Sequence, residues 1–254
     1  MKLHYKEFGS GPPLIILHGL FGSLDNWQTI ARQLAEDFTV FILDLRNHGR
    51  SPHSEEHSYE AMCEDLLSFM EEHWIFETNL LGHSMGGKLA MHFALHQGDK
   101  VEKLVVVDIA PKAYPGGHEV IFQALRALPL EEISSRAEAE AWLSGAIISK
   151  PIRQFLLKNM GRDKDNRFFW KPNIEVLHRQ YSEILREIDG TPFEKPTLFI
   201  RGGRSAYIQE EDFASIRKLF PQAMFHTIPD AGHWVHAEAS KEFVQVVRNF
   251  LLDH

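Results

Sequence analysis

The chain has 254 residues, enough for one large α/β domain with room for an inserted subdomain. It is 44% hydrophobic and 24% charged, the composition of a globular protein that buries a sizeable core. A formal net charge of −8 argues against phosphate-backbone binding, and no apolar run approaches the roughly 18 residues of a membrane span, so neither a nucleic-acid partner nor an integral-membrane segment is expected.

The N-terminal stretch "MKLHYKEFGSG" lacks an apolar signal region. The single cysteine, Cys63, excludes an internal disulfide and fits a reducing compartment, so the expected location is cytoplasmic. Cys63 sits in the helical pattern "YEAMCEDLLSFM" and reads as a packed apolar residue. In chain order the strands read as 3–8, 14–17, 39–43, 78–81, 103–108, 197–200 and 224–228. Helical patterns lie between them near 25–36, 58–73, 86–97, 210–219 and 238–252. The strand runs are apolar without alternation, which suits strands buried on both faces of a parallel sheet. Strand–helix alternation then predicts a doubly wound, mostly parallel α/β sheet with right-handed crossovers.

One interval breaks this rhythm. From 112 to 190 only helical patterns occur, "EVIFQALRAL", "AEAEAWLSGA", "PIRQFLLKNM" and "IEVLHRQYSEIL" among them. A stretch of about eighty residues cannot be a bare loop in a compact domain. The expected organisation is a core of 1–111 and 191–254 with a helical cap at 112–190. Inside the cap, "NRFFWKPN" makes Phe168, Phe169 and Trp170 candidates for a substrate-pocket wall, with cap-core packing as the alternative.

The most informative stretch is "NLLGHSMGGKLAM" at 79–91. A buried strand meets Gly82-His83-Ser84-Met85-Gly86 and a helix follows at once, which is G-x-S-x-G in the strand–turn–helix setting the motif needs. A serine at so tight a turn is strained, and strand and helix approach closely, so the positions two before and two after must lack bulk. Ser84 is the expected nucleophile. The oxyanion it creates on a carbonyl needs preorganised donors, expected from the Met85 N–H and, in "LHGLFGS", the Leu20 N–H. His18 in that loop reads as structural. The general base comes last in chain order, and in "IPDAGHWVHAE" His233 follows a bend at Gly232, whereas His236 begins the run into the last helix. Asp230 lies too near His233 in sequence to orient it and reads as a turn residue.

The third member is less direct. In "FIRGGRSAYI" the turn after the strand at 197–200 carries Ser205 where this architecture usually holds an aspartate. Strands lie about 4.8 Å apart, so sheet order ranks the candidates. Asp44 falls about two spacings from Ser84. Glu210, Glu211 and Asp212 read as the first turn of a helix. Asp108 ends "VVVDIAP" one strand from Ser84, on the side from which His233 arrives, and is the expected acid. Ser205 then supports it by donating a hydrogen bond.

The blocks "HGLFGSLDNW", "DLRNHGRSP", "GHSMGGK", "VDIAP" and "AGHWVHAE", in this order, resemble the α/β-hydrolase superfamily and within it the bacterial YbfF-type esterases and their mitochondrial relatives. The resemblance implies a Ser–His–Asp hydrolase of carboxylic esters, with acyl thioesters such as acyl-CoA as further small-molecule substrates and no cofactor. It carries over to Ser84, His233 and Asp108. Two alternatives stand beside it: C–C bond hydrolysis or cofactor-free perhydrolysis on the same scaffold, and a binding protein without turnover. A metal site is not expected. Of 15 histidines, His53/His57 and His92/His96 have helical spacing, but neither pair has the H-E-x-x-H order.

Overall fold

The computed structural model describes residues 1–253. Its strands are β1 (Tyr5–Phe8), β2 (Pro13–Leu17), β3 (Thr39–Leu43), β4 (Thr78–His83), β5 (Val101–Val107), β6 (Met160–Arg162), β7 (Phe168–Trp170), β8 (Thr197–Gly202) and β9 (Ala223–Ile228). The helices before the insertion are α1 (Gln28–Leu34), α2 (Tyr59–Glu72) and α3 (Met85–His96). Within it are α4 (Glu119–Ala127), α5 (Arg136–Leu143), α6 (Lys150–Leu157), α7 (Ile174–Arg179) and α8 (Tyr181–Leu185). The chain closes with α9 (Phe213–Leu219), α10 (Val235–Glu238) and α11 (Ser240–Leu252).

Seven strands form one sheet in the order β1-β3-β2-β4-β5-β8-β9, with β1 antiparallel to β3 and the other pairings parallel. The period of two explains why these strands show no polar alternation. Ile15, Leu17, Leu80, Leu104 and Val106 face the core that contains Leu66, Phe69, Leu89 and Phe93 of α2 and α3. Their neighbours Leu14, Ile16, Leu81, Val105 and Val107 face the opposite core with Ile30 and Leu34 of α1 and Phe243 and Val247 of α11. Each such side chain, fully buried, contributes about 1.5–3 kcal/mol. The result is the doubly wound α/β sheet expected.

The insertion between β5 and β8 is not purely helical. β6 and β7 pair antiparallel in a hairpin, so the aromatic run 168–170 is a strand. The polar stretch before it folds the turn: Asp163 Oδ1 accepts from the Asp165 and Arg167 N–H groups, both at 2.9 Å, and Asn166 takes φ 63°. Asparagine tolerates that left-handed conformation better than most residues.

Both ends of the insertion are tied to the sheet side. Tyr114 Oη accepts from Ala110 N–H at 2.8 Å and donates to the Tyr207 carbonyl at 2.6 Å. At the other end, Tyr59 Oη of α2 donates to the Ile184 carbonyl at 2.8 Å, and Lys88 Nζ of α3 donates to the Leu185 carbonyl at 3.0 Å and to the Arg186 carbonyl. These are carbonyls that the end of α8 leaves without helical partners. No helix among the described residues is long and apolar enough to cross a membrane.

Candidate active site

The site stands at the carboxyl ends of β2, β4, β5 and β8, where an open parallel sheet places its ligands. β4 runs into Ser84, which takes φ 53° and ψ −120° immediately before α3. That backbone is strained for a residue with a Cβ. It persists because the crossing is overdetermined: Ser84 N–H bonds the Val107 carbonyl at 3.1 Å, and the two flanking glycines leave no room for anything larger. A Cβ on Gly82 would lie 2.1 Å from the Gly86 carbonyl oxygen, and one on Gly86 would lie 2.5 Å from the Leu17 carbonyl oxygen.

Asp108, directly after β5, is the second strained residue, with φ 51° and no exposed side-chain surface. Its Oδ1 accepts from Gly202 N–H at 3.0 Å. Its Oδ2 accepts from Ser205 Oγ and, at 2.8 Å, from His233 Nδ1. A carboxylate without water is stable only when its lone pairs are met in this way. Since β8 adjoins β5, Ser205 at the end of β8 comes to the same carboxylate as the histidine. Glu210, Glu211 and Asp212 do not: Asp212 pairs with Lys112 at 2.7 Å, and Glu210 with Arg201 at 3.2 Å. Asp44 accepts from the Leu24 and Arg50 N–H groups at 2.8 and 2.9 Å and holds loops together.

His233 is fixed on three sides. Nδ1 is committed to Asp108, so Nε2 is the ring nitrogen available to a reactant. The Tyr207 ring stacks on the imidazole at a centroid distance of 4.1 Å. Behind it, His83 Nε2 donates to the His233 carbonyl at 2.9 Å. Burial holds the His83 pKa well below the usual histidine value, and the charges of His233 and His236 push the same way, so His83 is a neutral donor. His236 packs flat on Trp27 at 4.1 Å, and burial pushes its pKa down to about 3. It is a core histidine. His18 accepts from Leu45 N–H at 3.0 Å through Nε2, which puts its proton on Nδ1 toward the Gly19 carbonyl at 2.9 Å. It shapes the loop that carries Leu20.

Ser84, His233, Leu20 and Met85 all line one cavity of about 580 Å³. Met85 is the first residue of α3, where the helix has no acceptor for its N–H. Among the described residues the Leu20 N–H has no partner either. Two unengaged amides therefore accompany the serine, the requirement for holding an oxyanion.

The aromatic triplet is elsewhere. Phe168, Phe169 and Trp170 are not part of the cavity wall. Phe168 is buried under the Arg162 guanidinium, 3.9 Å from its ring centroid. Phe169 is 42% exposed, and Trp170 Nε1 donates to the Leu125 carbonyl at 2.9 Å. The hairpin turns Phe168 and Trp170 into core packing and leaves Phe169 partly in solvent. From the insertion the wall takes Ile121, Ile152, Phe155 and Leu156, together with His118 and Tyr181. The i, i+3, i+4 spacing of Ile152, Phe155 and Leu156 was the available sequence signal. Tyr207, Lys88 and the His118–Tyr181 pair carry no motif. Of the spaced histidines, His53 Nε2 donates to the Lys171 carbonyl at 2.8 Å, and His96 Nδ1 to the His92 carbonyl at 2.9 Å.

Comparison with known proteins shows the fold and the family. The family described as "alpha/beta hydrolase fold" matches residues 12–240. The sn-1-specific diacylglycerol lipase ABHD11 of Mus musculus is 41% identical over 249 residues, 94% of this chain and 81% of that protein. Esterase YbfF of Escherichia coli K12 is 37% identical over 242 residues, 95% of this chain and 93% of that protein. Among solved structures, a marine microorganism esterase superposes with a TM-score of 0.96 at 44% identity, covering 98% of this chain and 99% of that one. The chain belongs to the α/β-hydrolase family.

Proposed function

We propose that this chain is a serine hydrolase that cleaves carboxylic esters of small to medium acyl groups through an acyl-enzyme. The observation that carries the reading is the 2.8 Å contact between His233 Nδ1 and Asp108 Oδ2 on a histidine that shares a cavity with a strained Ser84. His233 Nε2 takes the Ser84 proton as Oγ attacks the ester carbonyl. The Leu20 and Met85 N–H groups receive the oxyanion. The protonated imidazole, stabilised by Asp108, gives its proton to the leaving alcohol. A water molecule then repeats the sequence on the acyl-enzyme, with the proton returned to Ser84 Oγ. Thioesters, acyl-CoA among them, follow the same steps with a thiol leaving.

The division into a core (1–111 and 191–254) and a cap (112–190) belongs to this reading. It is supported by a cavity whose catalytic side comes from strand ends and whose opposite side comes from α4, α6 and α8. A cytoplasmic location is the matching proposal for a chain whose one cysteine is free and buried. The apolar wall suits an acyl chain. The test is labelling by a fluorophosphonate together with hydrolysis of p-nitrophenyl butyrate. Covalent modification mapped to Ser84, lost with butyrate turnover in Ser84→Ala, is the expected result. Turnover that survives in Ser84→Ala overturns the proposal.

A further inference from the structure

The cavity holds a second polar pair that the acyl-transfer steps leave unused. His118 immediately precedes α4, Tyr181 begins α8, and both line the wall that the insertion contributes. His118 Nδ1 and Tyr181 Oη are 2.5 Å apart, and Tyr181 Oη also accepts from Gly117 N–H at 3.3 Å. The phenol stays protonated, because burial raises its pKa. Among the described residues its proton has one acceptor in reach, His118 Nδ1. That nitrogen must therefore be the unprotonated one.

The consequence is a fixed tautomer. Burial lowers the His118 pKa, and the charge of His233 lowers it further, so the ring is neutral and carries its single proton on Nε2. Among the described residues His118 makes its one side-chain hydrogen bond through Nδ1. His118 and His233 both line this cavity. The edge of the same imidazole meets Phe21, next to Leu20, at a centroid distance of 6.3 Å. An N–H donor in a mostly apolar wall becomes unpaired when a ligand displaces its water, unless the ligand brings an acceptor.

Building on the esterase reading above, we propose that the His118–Tyr181 pair selects esters whose leaving alcohol carries a second oxygen, an ether, hydroxyl or carbonyl beyond the scissile bond. His118 Nε2–H donates to that oxygen, and Tyr181 is the positioning residue that keeps the proton there. The leaving-group side is assigned because His233, which lines the same cavity, hands its proton to the leaving oxygen. The acyl side needs no such donor.

The test compares butyl butyrate with 2-methoxyethyl butyrate, which differ by an oxygen in place of one methylene, with butyrate release followed by pH-stat. The readout is the ratio of kcat/KM for the methoxyethyl ester to that for the butyl ester. His118→Phe should lower this ratio about tenfold, the expected loss of one hydrogen bond, with the change in KM. Tyr181→Phe should lower it about threefold by releasing the tautomer. His118→Gln, which keeps an N–H donor, should recover most of the ratio. An unchanged ratio in His118→Phe overturns the assignment; should that variant fail to fold, an unchanged ratio in Tyr181→Phe does so. Turnover of both esters with a ratio that no variant moves overturns this inference alone. Turnover of neither by the unmodified chain overturns the esterase reading with it.

Discussion

The strand ends and the insertion build opposite walls of one cavity by different means. At the strand ends each candidate catalytic group is fixed by backbone: two residues with positive φ, glycines without space for a Cβ, and a buried carboxylate with three donors. In the insertion the wall is mostly a set of apolar side chains on short helices, with the His118–Tyr181 pair among them. Rigid geometry belongs where charge develops, and a tolerant surface suffices where a chain is only enclosed. The two walls should therefore respond differently to substitution, and four experiments test that contrast.

The largest effect is expected at the nucleophile. Ser84→Ala should lower kcat on the order of 10⁴-fold or more while leaving the unfolding transition in place. Steady-state kinetics with a parallel thermal melt checks both halves. Next comes the acid: Asp108→Asn should lower kcat on the order of 10³–10⁴-fold, whereas Ser205→Ala should lower it about tenfold, the effect of one hydrogen bond. Equal losses in the two variants would mean that the acid's role is shared. Ser205→Asp placed in Asp108→Asn should recover part of the rate.

The insertion should divide differently. Phe168→Ala should lower stability by about 3–5 kcal/mol, because a buried ring in a packed core is lost. Phe155→Ala should change the preference among acyl-chain lengths several-fold with a smaller stability loss, since only a wall contact is removed. A denaturant melt and a panel of p-nitrophenyl esters separate the outcomes, and a chain-length shift from Phe168→Ala would erase the distinction between core and wall.

The smallest effect concerns the junction. Burial without a carboxylate partner pushes the Lys88 pKa down to about 7, with Arg186 lowering it further and Glu187 opposing. An unfolded lysine titrates near about 10.4. Below pH ~7 both states hold the proton and the burial penalty is full; between about pH 7 and pH 10 the unfolded chain holds more protons, so stability rises with pH. Lys88→Met should flatten that rise, worth on the order of 2 kcal/mol. Unfolding free energies at pH 6.5 and pH 9 would measure it. An equal slope in the variant would show that Lys88 is not responsible.

What could be read from the chain follows the same divide. Ser84 was legible because a serine between two space-limited glycines, after a buried strand and before a helix, leaves few other folds for the segment. Asp108 was legible through strand order, which the sheet reproduces with β4 between β2 and β5. The small sheet of β6 and β7 was not. Three-residue strands carry too little periodicity, and "FFW" reads equally as wall or core until the turn at Asp163–Arg167 directs it. Lys88, four residues past Ser84, looks like an ordinary helix lysine in sequence, and only the fold brings α8 carbonyls to it. His118 and Tyr181 are 63 residues apart and meet only when α4 and α8 pack.

Ser205 and Asp108 also bear on how such sites change over time. Their side chains meet, although they stand on different strands and 97 residues apart. The sheet thus defines a point in space that either strand end can fill, and the histidine cannot distinguish the source of its carboxylate. Under the proposed triad, an ancestor could carry the acid on one strand and a descendant on the next, provided a hydroxyl or carboxylate occupied the neighbouring position throughout. Chain position is then a poor label for this role. A search keyed to the turn after β8 would classify the protein as lacking its acid, whereas one keyed to the surroundings of His233 Nδ1 would find it.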